Sequence, residues 1–466
     1  MTRILDLSKR IGSILLRNFE NLYVKGHMIL KLICRSLVLV CLGAGYVMAQ
    51  TSVPDTPAGH TLQAWLDAFN SGDSAKIEAY IKTIDQTQNV AGMMRFRNQT
   101  GGFELVGIDS SEPLHVRFRL KEKGGHSSIL LGNLVVKDGQ PPTVETIRFN
   151  GVPPGAVVEN VTIDAAERKK VIDGVSDVLK EYYIELAVAQ QMSDALKAHE
   201  AKGDYNAISD GDTFASQLTK DLQAVSLDKH LRVGFNSFKM PPMKEPSAED
   251  IARFHQQMER DNCAFDKVEI LPNNIGYIKF DGFMDAEFCG PTVVAAMGFV
   301  AHTDALIFDL RQNGGGQPAM VTLIASYLFD KPTHLIDIYN RKEDRTQQNW
   351  TLSYLPGQRM PTQPVFVLTA KRTFSGAEEF AFDLKTQKRA TIVGETTGGG
   401  AHPVSGHLVA DYFNVGVPFA KSLDPVTKTN WEGTGVEPDV KVAAADALET
   451  AQKLALEKIQ AKKDGK

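Results

Sequence analysis

The chain has 466 residues, 43% of them hydrophobic and 23% charged, with a formal net charge of −5. That length exceeds one ordinary domain and implies two or three, and the balance is that of a globular protein. The slight acidity and the absence of a basic stripe argue against a nucleic-acid partner.

The first 50 residues stand apart. From Met28 a basic start, Met-Ile-Leu-Lys-Leu-Ile-Cys-Arg, leads into an apolar run, Ser36 to Gly45, and then to Val47-Met48-Ala49 before Gln50. That order is the order of a secretory signal, and its apolar part is too short to span a bilayer comfortably. Residues 1–49 are therefore expected to be a signal segment, with Met28 as an alternative start and no stable membrane anchor after cleavage. An amphipathic tail or a membrane anchor is the competing reading. Cys34 and Cys41 fall inside this segment, which leaves Cys263 and Cys289 in an exported chain. An oxidising compartment permits a bridge between those two, the alternative being two free thiols. No Cys-x-x-Cys or His-x-x-x-His spacing suggests a metal site, and no cofactor is expected.

Leu62, Trp65, Leu66 and Phe69 follow helical spacing, and Ile77, Tyr80 and Ile81 mark a second short helix. Leu114, Val116, Phe118 and Leu120 alternate with polar residues as a half-buried strand does. Segments 128–137 and 143–149 read as two more, joined at Asp138-Gly139. Helices followed by antiparallel strands predict a small α+β domain over residues 55–155. Its stretch AWLDAFNSGDSAKIEAYI resembles the opening of nuclear-transport-factor-2-like (NTF2-like) domains.

A second domain is expected over residues 164–455. Asp164 to Glu167 forms a capping-box pattern, and helical segments run on to about Leu227. Leu231, Val233 and Phe235 alternate as a strand with His230 at its mouth. Residues 237–256 read as an exposed excursion. Strands at 268–271, 275–281, 305–310, 364–369 and 391–393 then alternate with helices, one of them at 291–300 with Pro291 leading it. That order predicts an α/β core with largely parallel pairing.

Two turns in this core carry chemistry. After the apolar strand ending at Leu310 comes Asn313-Gly314-Gly315-Gly316, backbone able to approach a ligand and donate amides. Without a Gly-Lys-Ser/Thr ending it is not a phosphate loop. After the strand 364–369 comes Thr373-Phe374-Ser375-Gly376, which opens a helix. A serine there is either a helix cap or a nucleophile beside amides able to hold an oxyanion, those of Gly315 and Gly376. A base and an orienting acid are then required. His230 and His402 are candidate bases and Glu432 a candidate acid, and spacing does not choose between the histidines.

LIFDLRQNGGG, TFSGAEEFAFDLKTQKRATIVGETTGGGAHP and NWEGTGVEPDV, in this order, resemble the C-terminal-processing (tail-specific) serine peptidase family. The nearer branch is that of interphotoreceptor retinoid-binding protein and the tricorn core. The resemblance implies a crotonase/ClpP-like serine peptidase domain, with Ser375 as nucleophile and Gly376 and Gly315 as the oxyanion hole. Many members place a dyad lysine 25 residues after the serine, where this chain has Gly400. The tricorn-like branch instead implies His230 as base and Glu432 as its acid, with His402 and Gly316 available to line the substrate cleft. No PDZ domain fits between His230 and the strand at Ile275. The resemblance implies an exported serine endopeptidase acting on peptide or protein substrates. Retinoid-binding relatives keep open a non-catalytic module for apolar ligands on the same fold.

Overall fold

The structure, a computed structural model, describes residues 52–86, 88–124, 128–153, 156–159, 161–239 and 247–465, so the expected signal and its cleavage point lie outside it. The chain forms two compact units. One holds the described residues up to Met94 with Gly101–Phe149, and the other holds Arg95–Thr100 with everything from Asn150 onward.

The first unit is built from α1 (Pro57–Ser71), α2 (Ser74–Thr83), the start of α3 (Val90–Thr100), β1 (Phe103–Glu112), β2 (His115–Glu122), β3 (Ile129–Lys137) and β4 (Thr143–Gly151). The four strands lie in sequence order in one sheet. The apolar stripe of α1 is buried, and Trp65 stacks on Phe69 with ring centroids 4.7 Å apart. Neither α3 nor β1 is evident from periodicity. Two register shifts, at Leu105/Gly107 and Ile108/Ser110, break the alternation of β1.

The second unit begins with α4 (Ala165–Tyr182), α5 (Leu186–Lys202) and α6 (Gly211–Ser226), then β5 (Arg232–Phe235) and α7 (Ala248–Arg260). Asp164 caps α4 by accepting the Glu167 amide at 2.8 Å. The excursion expected at 237–256 is corrected from residue 248 on, where Ser247 and Asp250 close a capping box on α7. That helix buries none of its residues.

There follow β6 (Phe265–Leu271), β7 (Ile275–Phe280), α8 (Ala286–Phe299), β8 (Ala305–Asp309), α9 (Pro318–Ser326), β9 (His334–Asn340) and β10 (Arg345–Trp350). Then come β11 (Val365–Thr369), α10 (Gly376–Thr386), β12 (Thr391–Gly394), β13 (Val404–Ala410), β14 (Phe413–Pro418), β15 (Ala420–Leu423), β16 (Val440–Lys441) and α11 (Ala447–Lys463). Helix α8 starts five residues before Pro291, which lies inside it; Asp285 supplies the cap by accepting the Phe288 amide.

Six strands form the central sheet in the order β16-β12-β11-β8-β7-β6. All neighbours pair in parallel except β6 with β7. Strands β8 and β11 are buried along their whole length, as parallel strands covered on both faces must be. Leu306, Phe308, Val365 and Val367 pack with α8, α9 and α10, while Ala305, Ile307, Phe366 and Leu368 pack with α11. That two-residue alternation sets which way each strand faces. Cys263 and Cys289 are bridged, with Cα atoms 5.7 Å apart. A second sheet, β13-β14-β5, packs against α4–α6.

Candidate active site

Parallel pairing of β8 with β11, and of β11 with β12, puts three loops together at the carboxyl ends of those strands. These are the glycine turn after β8, the turn carrying Ser375 after β11, and residues 395–403 after β12. Buried side chains lock them in place. Thr373 Oγ1 donates to the Leu310 carbonyl at 2.8 Å and accepts the Ala370 amide at 2.9 Å. Asn313, wholly buried, donates from Nδ2 to the Phe280 carbonyl and accepts the Gly315 amide at Oδ1, each at 2.9 Å.

Ser375 occupies φ 54°, ψ −124° at the head of α10. A non-glycine residue at positive φ is strained by about 1–3 kcal/mol and persists only where its surroundings impose it. Here the imposing group is Glu378, whose Oε2 accepts the Ser375 amide at 2.8 Å. The same carboxylate accepts the amides of Gly399 at 2.7 Å and Gly400 at 2.8 Å, and the Thr397 hydroxyl. Burial raises its pKa, and those four hydrogen bonds pull it back. This wider role of Glu378 depends on the Gly399-Gly400 loop coming back over α10.

The Gly315 amide is taken up by Asn313. Among the described residues no acceptor meets the amides of Gly316 or Gly376, and both glycines line the cleft that holds Ser375. Gly316 has φ 141°, and a β-carbon on it would sit 2.1 Å from the Phe283 carbonyl oxygen, so glycine is required for this close packing.

The histidines arrive by a different route. Strand β14 lies between β13 and β5, with Pro418 opposite Val404 and Gly416 opposite Arg232. Strands β13 and β5 therefore start at the same end of their sheet. His402 and His230, each two residues ahead of its strand, emerge together and line one cleft with Ser375, Gly316 and Gly376, of about 720 Å³. The His230 ring lies against Phe374 with centroids 4.6 Å apart.

Asp228, buried and not singled out by sequence, organises this group. It pairs with His402 Nδ1 at 2.7 Å and accepts the His230 amide at 3.0 Å. Its separation from His230 Nδ1 is 3.8 Å. Its only sequence signal was position, two residues before His230. Glu432 accepts the Ala401 amide at 2.6 Å and lies 3.6 Å from His402 Nδ1. His230 Nδ1 and Glu432 Oε1 are both buried without hydrogen-bond partners among the described residues. Donor atoms of Asp228, His230 and Glu432 lie within 4.8 Å of one another, so these three could also hold a cation. Burial lowers the His230 pKa to about 4, against the pull of Asp228, and raises that of Glu432 to about 6, against the charge of His402.

Peptidase family S41 matches residues 274–442, and the N-terminal domain of Peptidase_S41 in eukaryotic IRBP matches residues 162–268. The chain belongs to peptidase family S41. A curated relative, carboxy-terminal processing protease CtpB of Bacillus subtilis (strain 168), is 25% identical over 181 residues, 38% of this chain and 36% of the relative. The match thus spans about a third of that relative's length. The photosystem II D1 C-terminal processing protease is 14% identical, with a TM-score of 0.38 over 60% of this chain and 94% of its own. The tricorn protease is 12% identical, with a TM-score of 0.41 over 76% of this chain and 46% of its own. Likenesses this loose carry no detail of the site, whose chemistry rests on the geometry above. No helix among the described residues is long and apolar enough to cross a membrane.

Proposed function

We propose that this S41 member is an exported serine endopeptidase, with Ser375 attacking the scissile carbonyl, His230 taking its proton and Glu432 orienting His230. The carrying observation is the strained Ser375 in one cleft with His230 and two unengaged amides, those of Gly316 and Gly376. Peptide hydrolysis needs two donors on the developing oxyanion. Because Asn313 occupies the Gly315 amide, Gly376 is assigned that role together with Gly316, and Gly315 serves to shape the turn. The orphaned His230 Nδ1 and Glu432 Oε1 close on each other when substrate arrives, since catalytic hydrogen bonds are often long in a resting enzyme.

In the same reading the first unit is an NTF2-like module, residues 55–155, and the peptidase domain, residues 164–455, has the crotonase-like architecture of the family without a PDZ domain. The Cys263–Cys289 bridge supports an oxidising destination and hence a signal over residues 1–49.

One observation favours a second assignment of the base. His402, not His230, holds the short contact to a buried carboxylate, 2.7 Å to Asp228. Hydrolysis of an unstructured protein substrate by wild type and by Ser375→Ala tests the function itself: cleavage by wild type alone is expected, and cleavage by both variants overturns it. A chelator should leave the wild-type rate unchanged; loss of activity that a divalent ion restores would mark the Asp228–His230–Glu432 group as a metal centre instead.

A further inference from the structure

Two acidic side chains on α10 have no role in the machinery described above. Glu379 lies four residues after Ser375, and its amide donates to the Ser375 carbonyl at 3.0 Å. Asp383 lies four residues further on. Positions four apart stack on one helical face, about 5.4 Å per turn. Glu379 and Asp383 thus lie one turn apart on one face of α10, just inside the cap residue Ser375.

Glu379 is 4% exposed and Asp383 is fully buried, yet Glu379 Oε1 and both Asp383 carboxylate oxygens lack hydrogen-bond partners among the described residues. Buried carboxylates are normally paired or bonded, because each unpaired one is costly. Glu379 nevertheless lines the same cleft as Ser375, beside Ile338, Ala401, Ser422 and Trp431. Apart from the two histidines, the cation lining that cleft is Arg345, which is exposed and paired with Glu343 at 3.2 Å. Asp424, the acid that acts on Asp383 from beyond β15, is satisfied by the amides of Val426 and Thr427.

We propose that Glu379 is the base of a specificity pocket for a cationic side chain, lysine or arginine, on the acyl side of the scissile bond. The proposal rests on the peptidase reading and names its substrate class. An acyl group on Ser375 would place its side chain about one helical turn from Glu379, a distance that the four-carbon stem of lysine can bridge. An ammonium or guanidinium there supplies the missing partner. Apolar walls strip water from the pair, which strengthens a charge-assisted hydrogen bond. Burial pushes the Glu379 pKa up to about 8, and burial with the Glu379 charge pushes that of Asp383 well above its ordinary value. The empty pocket therefore holds protons, one of which the incoming cation displaces. Glu379 is a binding group and does not touch the reacting atoms.

The test uses fluorogenic peptides that differ only in the residue before the scissile bond: lysine, arginine, leucine or glutamine. Wild type should show kcat/KM at least tenfold higher for lysine and arginine than for leucine or glutamine. Glu379→Gln should shrink that ratio at least tenfold, and Glu379→Asp should restore part of it. A wild-type preference for leucine or glutamine overturns the proposal, as does a Glu379→Gln variant that slows all four peptides equally. Should that variant fail to fold, wild type alone decides: benzamidine, but not uncharged benzamide, should slow fluorophosphonate labelling of Ser375, and equal effects overturn the pocket. Labelling without basic preference sinks this inference and spares the peptidase reading; no labelling sinks both.

Discussion

A β-carbon on Gly400 would lie 2.5 Å from Cε1 of His230 and 2.4 Å from Cζ of Phe374. Gly400 stands where many relatives are expected to carry the lysine of a Ser–Lys dyad. In this chain the space that a side chain at position 400 would enter is already filled by His230 and Phe374. Gly400→Ala should overpack the site, costing about 1–3 kcal/mol, and should slow serine labelling. Adding His230→Ala should recover part of the lost stability, the Phe374 contact remaining, and a double-mutant cycle of urea midpoints measures that coupling. Strict additivity would show that the two residues do not compete for space.

Assignment of the base separates the two histidines. His230→Ala should reduce turnover nearly as far as Ser375→Ala, with the double variant little worse, because such residues act as a unit. His402→Ala should mainly raise KM. Near-normal turnover in His230→Ala with loss in His402→Ala would move the base to the His402–Asp228 pair.

The rate should also depend on pH through this cluster. Turnover needs neutral His230, whose pKa is held down to about 4, and ionised Glu432, whose pKa is raised to about 6. The acid limb of kcat/KM should therefore centre near 6 and belong to the cluster as a whole. A limb near 4 would mean that Glu432 need not be charged.

Stability carries a separate signature. Glu379 binds its proton more tightly folded than unfolded, about 8 against an ordinary 4.5. Its contribution is complete below 4.5 and is lost as pH rises through 8, and Asp383 acts with the same sign. His230 works the other way between 6.5 and 4, and Glu432 fades between 4.5 and 6, so neither adds a pH dependence above 6.5. The wild-type urea midpoint should fall from pH 6.5 to 8.5, and the fall should be shallower in Glu379→Gln. Equal slopes would show that Glu379 does not hold its proton.

The Cys263–Cys289 bridge closes a separation of 26 residues. Loop closure of that size contributes about 3 kcal/mol in the unfolded-state account. Denaturation of the Cys263→Ser/Cys289→Ser variant should show a loss of that order, and thiol titration of the unreduced, unfolded chain without residues 1–49, which carry Cys34 and Cys41, should find no thiol. Two titrating thiols would contradict the bridge.

What sequence could and could not reveal follows from range. Strands β8 and β11 were legible because full burial leaves an unbroken apolar run, and the Ser375 turn was legible because it joins such a strand to a helix. Strand β1 was hidden by its bulges. The start of α8 was misplaced because Pro291 was taken as a helix-opening residue, whereas Asp285 is the cap. The roles of Asp228 on His402 and of Asn313 on the Phe280 carbonyl were not legible, because only the fold brings those partners near. The engagement of the Gly315 amide was equally invisible, since it depends on a side-chain rotamer two residues away.

The most direct measurement is mass spectrometry of the protein after treatment with a fluorophosphonate. One adduct on the peptide containing Ser375 in wild type, absent in Ser375→Ala and strongly slowed in His230→Ala, is the predicted result. An unlabelled wild type that is folded, or an adduct on a different serine, would contradict the account.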